Sequence, residues 1–244
     1  MKSVGVILSL ILLTNVATAQ TVPTKKTNRF IDLAVTAGSS QGSAAFSYVH
    51  NWKIGKKQKW EIGLGGRLTS YFGTKKEYVT AGPARLTRSH SIPFLIFFAD
   101  QKPENWDTLN VQRPFTTALN ATVNIGYHFN KKWSAGFNID LIGVTLGRTT
   151  NGILTGNGTT RNDSKVKPSA FNLLLTGDHD LGSLNSELFV GYKFSDKWSL
   201  RGVYQFYFSE YKTTNLNQVA SDGTVINRFR NKVNAFGIGI SRLF

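Results

Sequence analysis

The 244-residue chain contains no cysteine. A disulfide scaffold, a thiolate metal site and a lipid-modified N-terminal cysteine are therefore excluded. Past the N-terminus no uninterrupted apolar run approaches the roughly 18 residues that a membrane helix needs, which excludes a helical membrane protein. Charge is sparse, at 18% of residues, and acidic charge is the sparser kind: 14 Asp and Glu stand against 29 Lys and Arg, for a net +15. What is abundant instead is 17 Phe, 8 Tyr, 5 Trp and 23 Gly, a composition of strands and turns.

The N-terminus reads as an address. Lys2 precedes an apolar stretch from Val4 to Leu13, and Ala17-Thr18-Ala19 supplies the small-x-small pattern of a signal-peptidase site. Residues 1–19 are expected to be a signal peptide and residues 20–244 a single all-β domain.

That domain alternates with period two, the signature of half-apolar strands. From Thr117 to Phe129, Leu119, Val123, Ile125 and Tyr127 share one face, while Asn120, Thr122, Asn124 and His128 share the other. Trp133, Phe137, Ile139 and Leu141 alternate with Ser134, Asn138, Asp140 and Ile142. Trp60 to Thr69 and Ala235 to Phe244 follow the same rule. A soluble barrel turns its large apolar residues inward, whereas a membrane barrel turns them to lipid. Alternation alone does not choose between them, and a soluble lipocalin-like barrel is the alternative fold.

A repeated turn favours the membrane. Gly126-Tyr127-His128-Phe129-Asn130-Lys131-Lys132-Trp133 recurs as Gly191-Tyr192-Lys193-Phe194-Ser195-Asp196-Lys197-Trp198, with a looser copy from Trp52 to Trp60. Each joins two alternating strands by a few polar residues and sets aromatics at the strand ends. Trp52, Trp60, Trp133 and Trp198, four of the five tryptophans, then form an aromatic girdle at one rim. The chain ends on Phe244 after an alternating apolar strand, which resembles the terminal-strand signal of Gram-negative outer-membrane barrels. It departs from that pattern at Arg242, a lipid-facing place from which a guanidinium must snorkel to the headgroups. The whole of 20–244 resembles the small outer-membrane barrels of the OmpX, OmpW and OmpA-transmembrane type, including many from Bacteroidetes. The resemblance implies a cell outer-membrane location, outer-membrane lipids as surroundings, and recognition by the barrel assembly machinery with Phe244 as the assembly signal. It implies little about activity, because one fold hosts many functions.

Eight strands are expected, near 29–38, 44–54, 59–73, 115–129, 133–147, 184–194, 198–208 and 229–244. They leave three short turns at one end. At the other lie one short connection (39–43) and three long loops (74–114, 148–183 and 209–228). The segment Ile92 to Ala99 is too apolar for a solvated loop, and if it is strand the count becomes ten. The stretch from Asn151 to Asp163 suggests a mobile tip, and Phe171 to Leu175 a strand continued above the membrane.

With apolar faces to lipid, the inward charges are Asp32, Glu61, Arg67, Asp140, Glu187, Lys193 and Arg201. Arg67, Asp140 and Glu187 each lie seven residues from their turn-end aromatic (Trp60, Trp133 and Phe194), which places them at matching depth. Opposite charges confined in so narrow a lumen should pair. A lumen charge network of Arg67, Asp140, Glu187, Arg201 and Glu61 is therefore expected, either filling the barrel or closing a narrow path.

Chemistry is otherwise sparse. There is no nucleotide loop, HExxH or EF-hand pattern, and neither His50 nor His128 has a second ligand at metal spacing. No catalytic residue, cofactor or metal is expected. His90 with Ser91, or His179 with Asp178, would form a hydrolytic set only if two loops met. The basic charge crowds the hairpins (Lys53, Lys56, Lys57, Lys59, Lys131, Lys132 and Lys197) and suits anionic phosphates or an acidic cell-wall polymer. Nucleic acid is set aside as a partner of an exported chain. The expected function is a structural or narrowly permeable, porin-like envelope barrel, not an enzyme. The alternatives are an OmpW-like conduit for a small apolar ligand, with 92–99 lining its entry, and a lipid-modifying barrel enzyme.

Overall fold

A computed structural model of the chain describes residues 26–92, 99–175 and 180–244. The expected signal peptide lies outside the described residues, as do 93–98 of the apolar segment and the Asp178–His179 pair.

Strands stand at all eight places indicated by the alternation: β1 (Thr27–Gly38), β2 (Gln41–Ile54), β3 (Trp60–Gly73), β6 (Phe115–His128), β7 (Trp133–Gly147), β11 (Leu184–Lys193), β12 (Trp198–Lys212) and β15 (Arg228–Leu243). The expectation of eight is nevertheless too low. The described residues hold fifteen strands, because the long loops contain β4 (Lys75–Thr80), β5 (Thr108–Gln112), β8 (Thr150–Gly156), β9 (Thr159–Pro168), β10 (Phe171–Leu173), β13 (Gln218–Val219) and β14 (Val225–Ile226).

All the pairings are antiparallel, and they close two rings. In the first, β1 pairs with β2, β2 with β3, β3 with β6, β6 with β7, β7 with β11, β11 with β12, β12 with β15, and β15 with β1. Above the end of β11, the short β10 takes over as the neighbour of β7. The second ring sits on top of the first. There β15 pairs with β4, β4 with β5, β5 with β8, β8 with β9, and β9 with β12. Strands β12 and β15 run through both rings and stay paired from Trp198–Arg242 up to Lys212–Arg228. Closure leaves neither ring a free edge, so backbone groups are satisfied internally, as spanning hydrocarbon requires.

The first ring is inside out relative to a soluble barrel. Leu33, Val35, Leu64, Leu119, Leu188, Phe236 and Ile238 are exposed on its outer face, while Thr36, Ser47, Asn51, Arg67, Asn120, Asn124, Asp140 and Glu187 are buried within. Strand β7 carries one break in parity. Ala121 faces Ile142 and Thr122 faces Asp140, so Leu141 forms a bulge. The bulge turns Ile142, Val144 and Leu146 outward. This corrects the uninterrupted alternation read from the sequence, which placed Ile142 inside.

The second ring has an ordinary core. Tyr78, Leu109, Val111, Leu154, Val166, Tyr211 and Phe229 pack together with at most 1% exposure. The Asn151–Asp163 stretch, expected to be a mobile tip, is instead the β8–β9 hairpin. Its turn uses Asn157 and Gly158 at positive φ (48° and 70°), which matches the right-handed strand twist.

Candidate functional site: the lumen and its two ends

The interior of the double ring is layered. At the top lies the apolar core of the second ring. Below it Tyr71 and Tyr207 stack with centroids 5.2 Å apart and pack with Val233 and Ala235. The phenol of Tyr71 donates to Gln41 at 2.7 Å, and that of Tyr207 lies 3.3 Å from the Thr116 hydroxyl. Next comes a neutral polar layer, in which Thr36 donates to the Gln205 carboxamide at 2.6 Å and Gln205 donates to Ser43 at 2.9 Å.

The charged layer follows. Arg67 donates to Asp140 from Nε at 2.9 Å and from Nη2 at 2.6 Å. Its Nη1 lies 3.4 Å from Glu187, and the fork is completed by the Asn138 side chain and the Asn185 carbonyl. Asp140 also accepts from Asn120 at 2.6 Å and from the Asn185 backbone at 2.9 Å. Arg201 pairs with Asp32 and reaches Glu187 at 3.6 Å. The Ser241 hydroxyl donates to the second Asp32 oxygen at 2.7 Å, and the Arg201 guanidinium lies 4.6 Å from the Phe189 ring centroid. Five charges thus alternate in sign from Asp140 through Arg67, Glu187 and Arg201 to Asp32. Buried ions in low dielectric are tolerable only in such a paired and hydrogen-bonded set. The space left beside Arg67 and Arg201 is about 10 Å³, no more than one water needs.

Four of the five residues expected in the network, Arg67, Asp140, Glu187 and Arg201, are brought together here. Glu61 is not among them. It lies next to Trp60, near the turn end and well below the depth of Arg67, so its partners are local. Its carboxylate is 2.9 Å from His128 Nε2 and accepts from Asn51 at 2.8 Å and Asn28 at 3.2 Å. Among the described residues Lys193 pairs with Asp196, across its own hairpin, at 3.4 Å.

Below the charged layer the barrel opens into a vestibule of about 800 Å³ at the short-turn end. Around its outside, Trp52, Trp60, Trp133 and Trp198 are exposed at the strand ends. Trp60 packs on Tyr127 at 4.8 Å and Trp133 on Tyr192 at 4.9 Å. Arg242 is exposed beside this rim, and its guanidinium lies 5.9 Å from the Trp198 ring and 5.6 Å from that of the terminal Phe244.

Two polar clusters in the upper part escape sequence reading. Glu210, fully buried, accepts from Ser169 at 2.6 Å, from Arg228 at 3.1 Å and from Arg230 at 3.0 Å. Asp163 clips the β8–β9 hairpin to the 213–216 turn by accepting backbone N–H groups of Lys165 (2.9 Å), Thr214 (3.0 Å), Asn215 (2.9 Å) and Leu216 (3.2 Å). Burial alone would raise the Asp163 pKa, but those N–H groups outweigh it and hold the carboxyl below its ordinary range. Inward parity could have flagged Asn120 and Asn138 beside Asp140. Nothing local distinguishes Glu210 or Asp163.

Among the described residues no group of three or more His, Asp or Glu side chains could hold a metal ion. His90 and Ser91 lie in the upper connection, whereas the His179–Asp178 pair, and with it the expected meeting of two loops, falls outside the described residues.

A closed antiparallel ring, apolar outside and charged inside, with aromatics banding one rim, defines a transmembrane β-barrel of the small outer-membrane type. Solved structures similar to the chain belong to the same class. Neisserial surface protein A from Neisseria matches 89% of this chain and 97% of its own length, at 8% identity and a TM-score of 0.36. Ail of Yersinia pestis matches over 91% and 100%, at 8% identity and 0.37. The Pseudomonas putida toluene transporter TodX matches over 93% and 92%, at 8% identity and 0.25. Likenesses this distant carry no argument of their own, and the class rests on the ring and its faces. No protein-family model matches the chain, and no curated protein matches it in sequence.

Proposed function

We propose that this is a non-conducting, non-enzymatic barrel of the Gram-negative outer membrane, which holds a rigid β-structured extension at the cell surface for interaction there. The observation that carries the reading is the double closure of the lumen. The five-charge layer fills the first ring, and an apolar core fills the second. A solute would have to break a buried ion network and then part an apolar core, each costing several kcal/mol. The hairpin turns and the chain's C-terminus then face the periplasm, and the β8–β9 hairpin faces outward, the usual arrangement of short turns and long connections. The apolar-conduit alternative depends on 92–99 and draws no support from the described residues.

Planar-bilayer recording of the refolded protein in 1 M KCl tests the closure, with silence the expected result. Stable unitary channels from verifiably folded protein would overturn it. A peptide tag inserted between Asn157 and Gly158 tests the orientation. It should be bound by antibody on intact cells, and binding only after permeabilisation would reverse the assignment.

A further inference from the structure

The vestibule is lined by six lysines: Lys53, Lys57, Lys59, Lys131, Lys132 and Lys193. Strand parity aims several of them inward. Lys53 lies two residues beyond the inward Asn51 and opposite the inward Glu61, and Lys193 lies two residues beyond Gly191 and opposite Ser199, on the same wall. Acidic side chains on the same lining are Glu61, spent on His128, Asn51 and Asn28, and Asp196, exposed at the lip and paired with Lys193. Among the described residues no carboxylate lies within ion-pair distance of Lys53, Lys57, Lys131 or Lys132.

A sphere of this volume is roughly 12 Å across, comparable to the Debye length of about 8 Å at physiological salt. The ammonium groups on its wall are therefore incompletely screened from one another, and their mutual repulsion is one that an anion would relieve. The inner wall of the vestibule mixes apolar side chains such as Phe30, Phe189 and Phe194 with the hydroxyls of Ser134 and Ser199, while the Asn28 and Asn51 carboxamides are held by Glu61. The floor is the closed charged layer, so the vestibule is a blind cup and not an anion path.

From this lysine collar around a blind cup with almost no free carboxylate we infer a binding site for a small, water-soluble molecule bearing several phosphate or carboxylate groups. Bilayer headgroups are not its source, because Lys53 and Lys193 face the lumen from their strands, and the cup they share with the turn lysines opens along the barrel axis. That this mouth faces the periplasm rests on the proposed function, whereas the site itself rests on the vestibule alone.

The test is isothermal titration calorimetry of the refolded protein in zwitterionic micelles, using inorganic triphosphate and citrate as probes, with thermal unfolding followed in parallel. At least one probe should bind with submillimolar affinity and raise the melting temperature. Binding of triphosphate alone or citrate alone assigns the ligand to the phosphate or the carboxylate class. The variant K132Q/K193Q should weaken binding about tenfold. The charge-matched K165Q/K167Q variant, altered on exposed β9 at the opposite end, should change it less than twofold. Absence of binding by both probes overturns the inference, as does equal weakening by the two variants, which would mean a diffuse response to net charge. Neither result bears on the conductance or tag experiments, so this site and the proposed function fail separately.

Discussion

Replacing Arg67 by Met isolates the energetics of the charged layer. The substitution keeps much of the side-chain volume and removes the donors that hold Asp140 and Glu187. With Arg67 present the layer sums two positive and three negative charges, for a net of −1. Without it the sum is −2. Asp140 retains Asn120 and the Asn185 N–H, and Glu187 retains Arg201, Asn138 and Asn185, so neither carboxylate is stripped bare. Leaving a buried charge uncompensated costs about 3–5 kcal/mol, and the retained partners place R67M toward the lower end of that range. R67M/D140N restores the net −1 and leaves an amide that accepts the same two N–H groups. Because a buried pair removed whole is often near neutral, the double variant should recover at least half of the loss. Urea unfolding of the refolded proteins, followed by the heat-modifiable shift on gels and by tryptophan fluorescence, measures both. A loss below about 1 kcal/mol for R67M, or equal losses for single and double variants, would refute a layer governed by charge balance.

Three further outcomes are expected. Phe229→Ala removes a fully buried ring from the second core and should cost about 3–5 kcal/mol there, read as lost hydrogen-exchange protection in β4, β5, β8 and β9 while the amides of β1 and β2 keep theirs. The Asp163 carboxyl is more acidic folded than unfolded, so its stabilisation is present above about pH 4, its unfolded value, and is lost as pH falls through the folded pKa. Exchange at the Thr214–Leu216 amides should accelerate over that acid range, and Asp163→Ala should show the fast rate at neutral pH. Arg242→Ala loses cation–π contacts at an exposed rim and should cost only about 0.5–1 kcal/mol by urea titration, with outer-membrane assembly retained.

The first ring is legible in the sequence because two simple rulers apply to it. Period two separates its faces, and the tryptophans mark where counting starts, so Arg67, Asp140 and Glu187 fall at one depth on different strands. The bulge at Leu141 does not spoil that count, since it lies beyond Asp140 from the turn end. Parity fails past it, at Ile142, because nothing in the Leu-Ile pair says which residue the partner strand will skip. Glu61 stands apart from the network for a different reason: parity gives its face, but its depth beside Trp60 separates it from the rest. The second ring is illegible because no segment carries its signal alone. Tyr78, Leu109, Val111, Leu154 and Val166 come from four short strands in two connections, each giving one or two inward apolar residues among polar ones. Only their meeting with Tyr211 and Phe229 makes a core.

Those last two residues sit on the pair of strands common to both rings, and this sharing has a mechanical consequence. The extension is not tethered by flexible loops: two of its six staves are the membrane wall itself, paired without interruption from the rim tryptophan Trp198 to Lys212. A pull or twist applied at the β8–β9 tip is delivered as shear along the β12–β15 seam into the bilayer-spanning ring, with no hinge between to absorb it. The presented surface therefore holds a fixed bearing to the barrel axis, and whatever engages it feels the stiffness of the wall below.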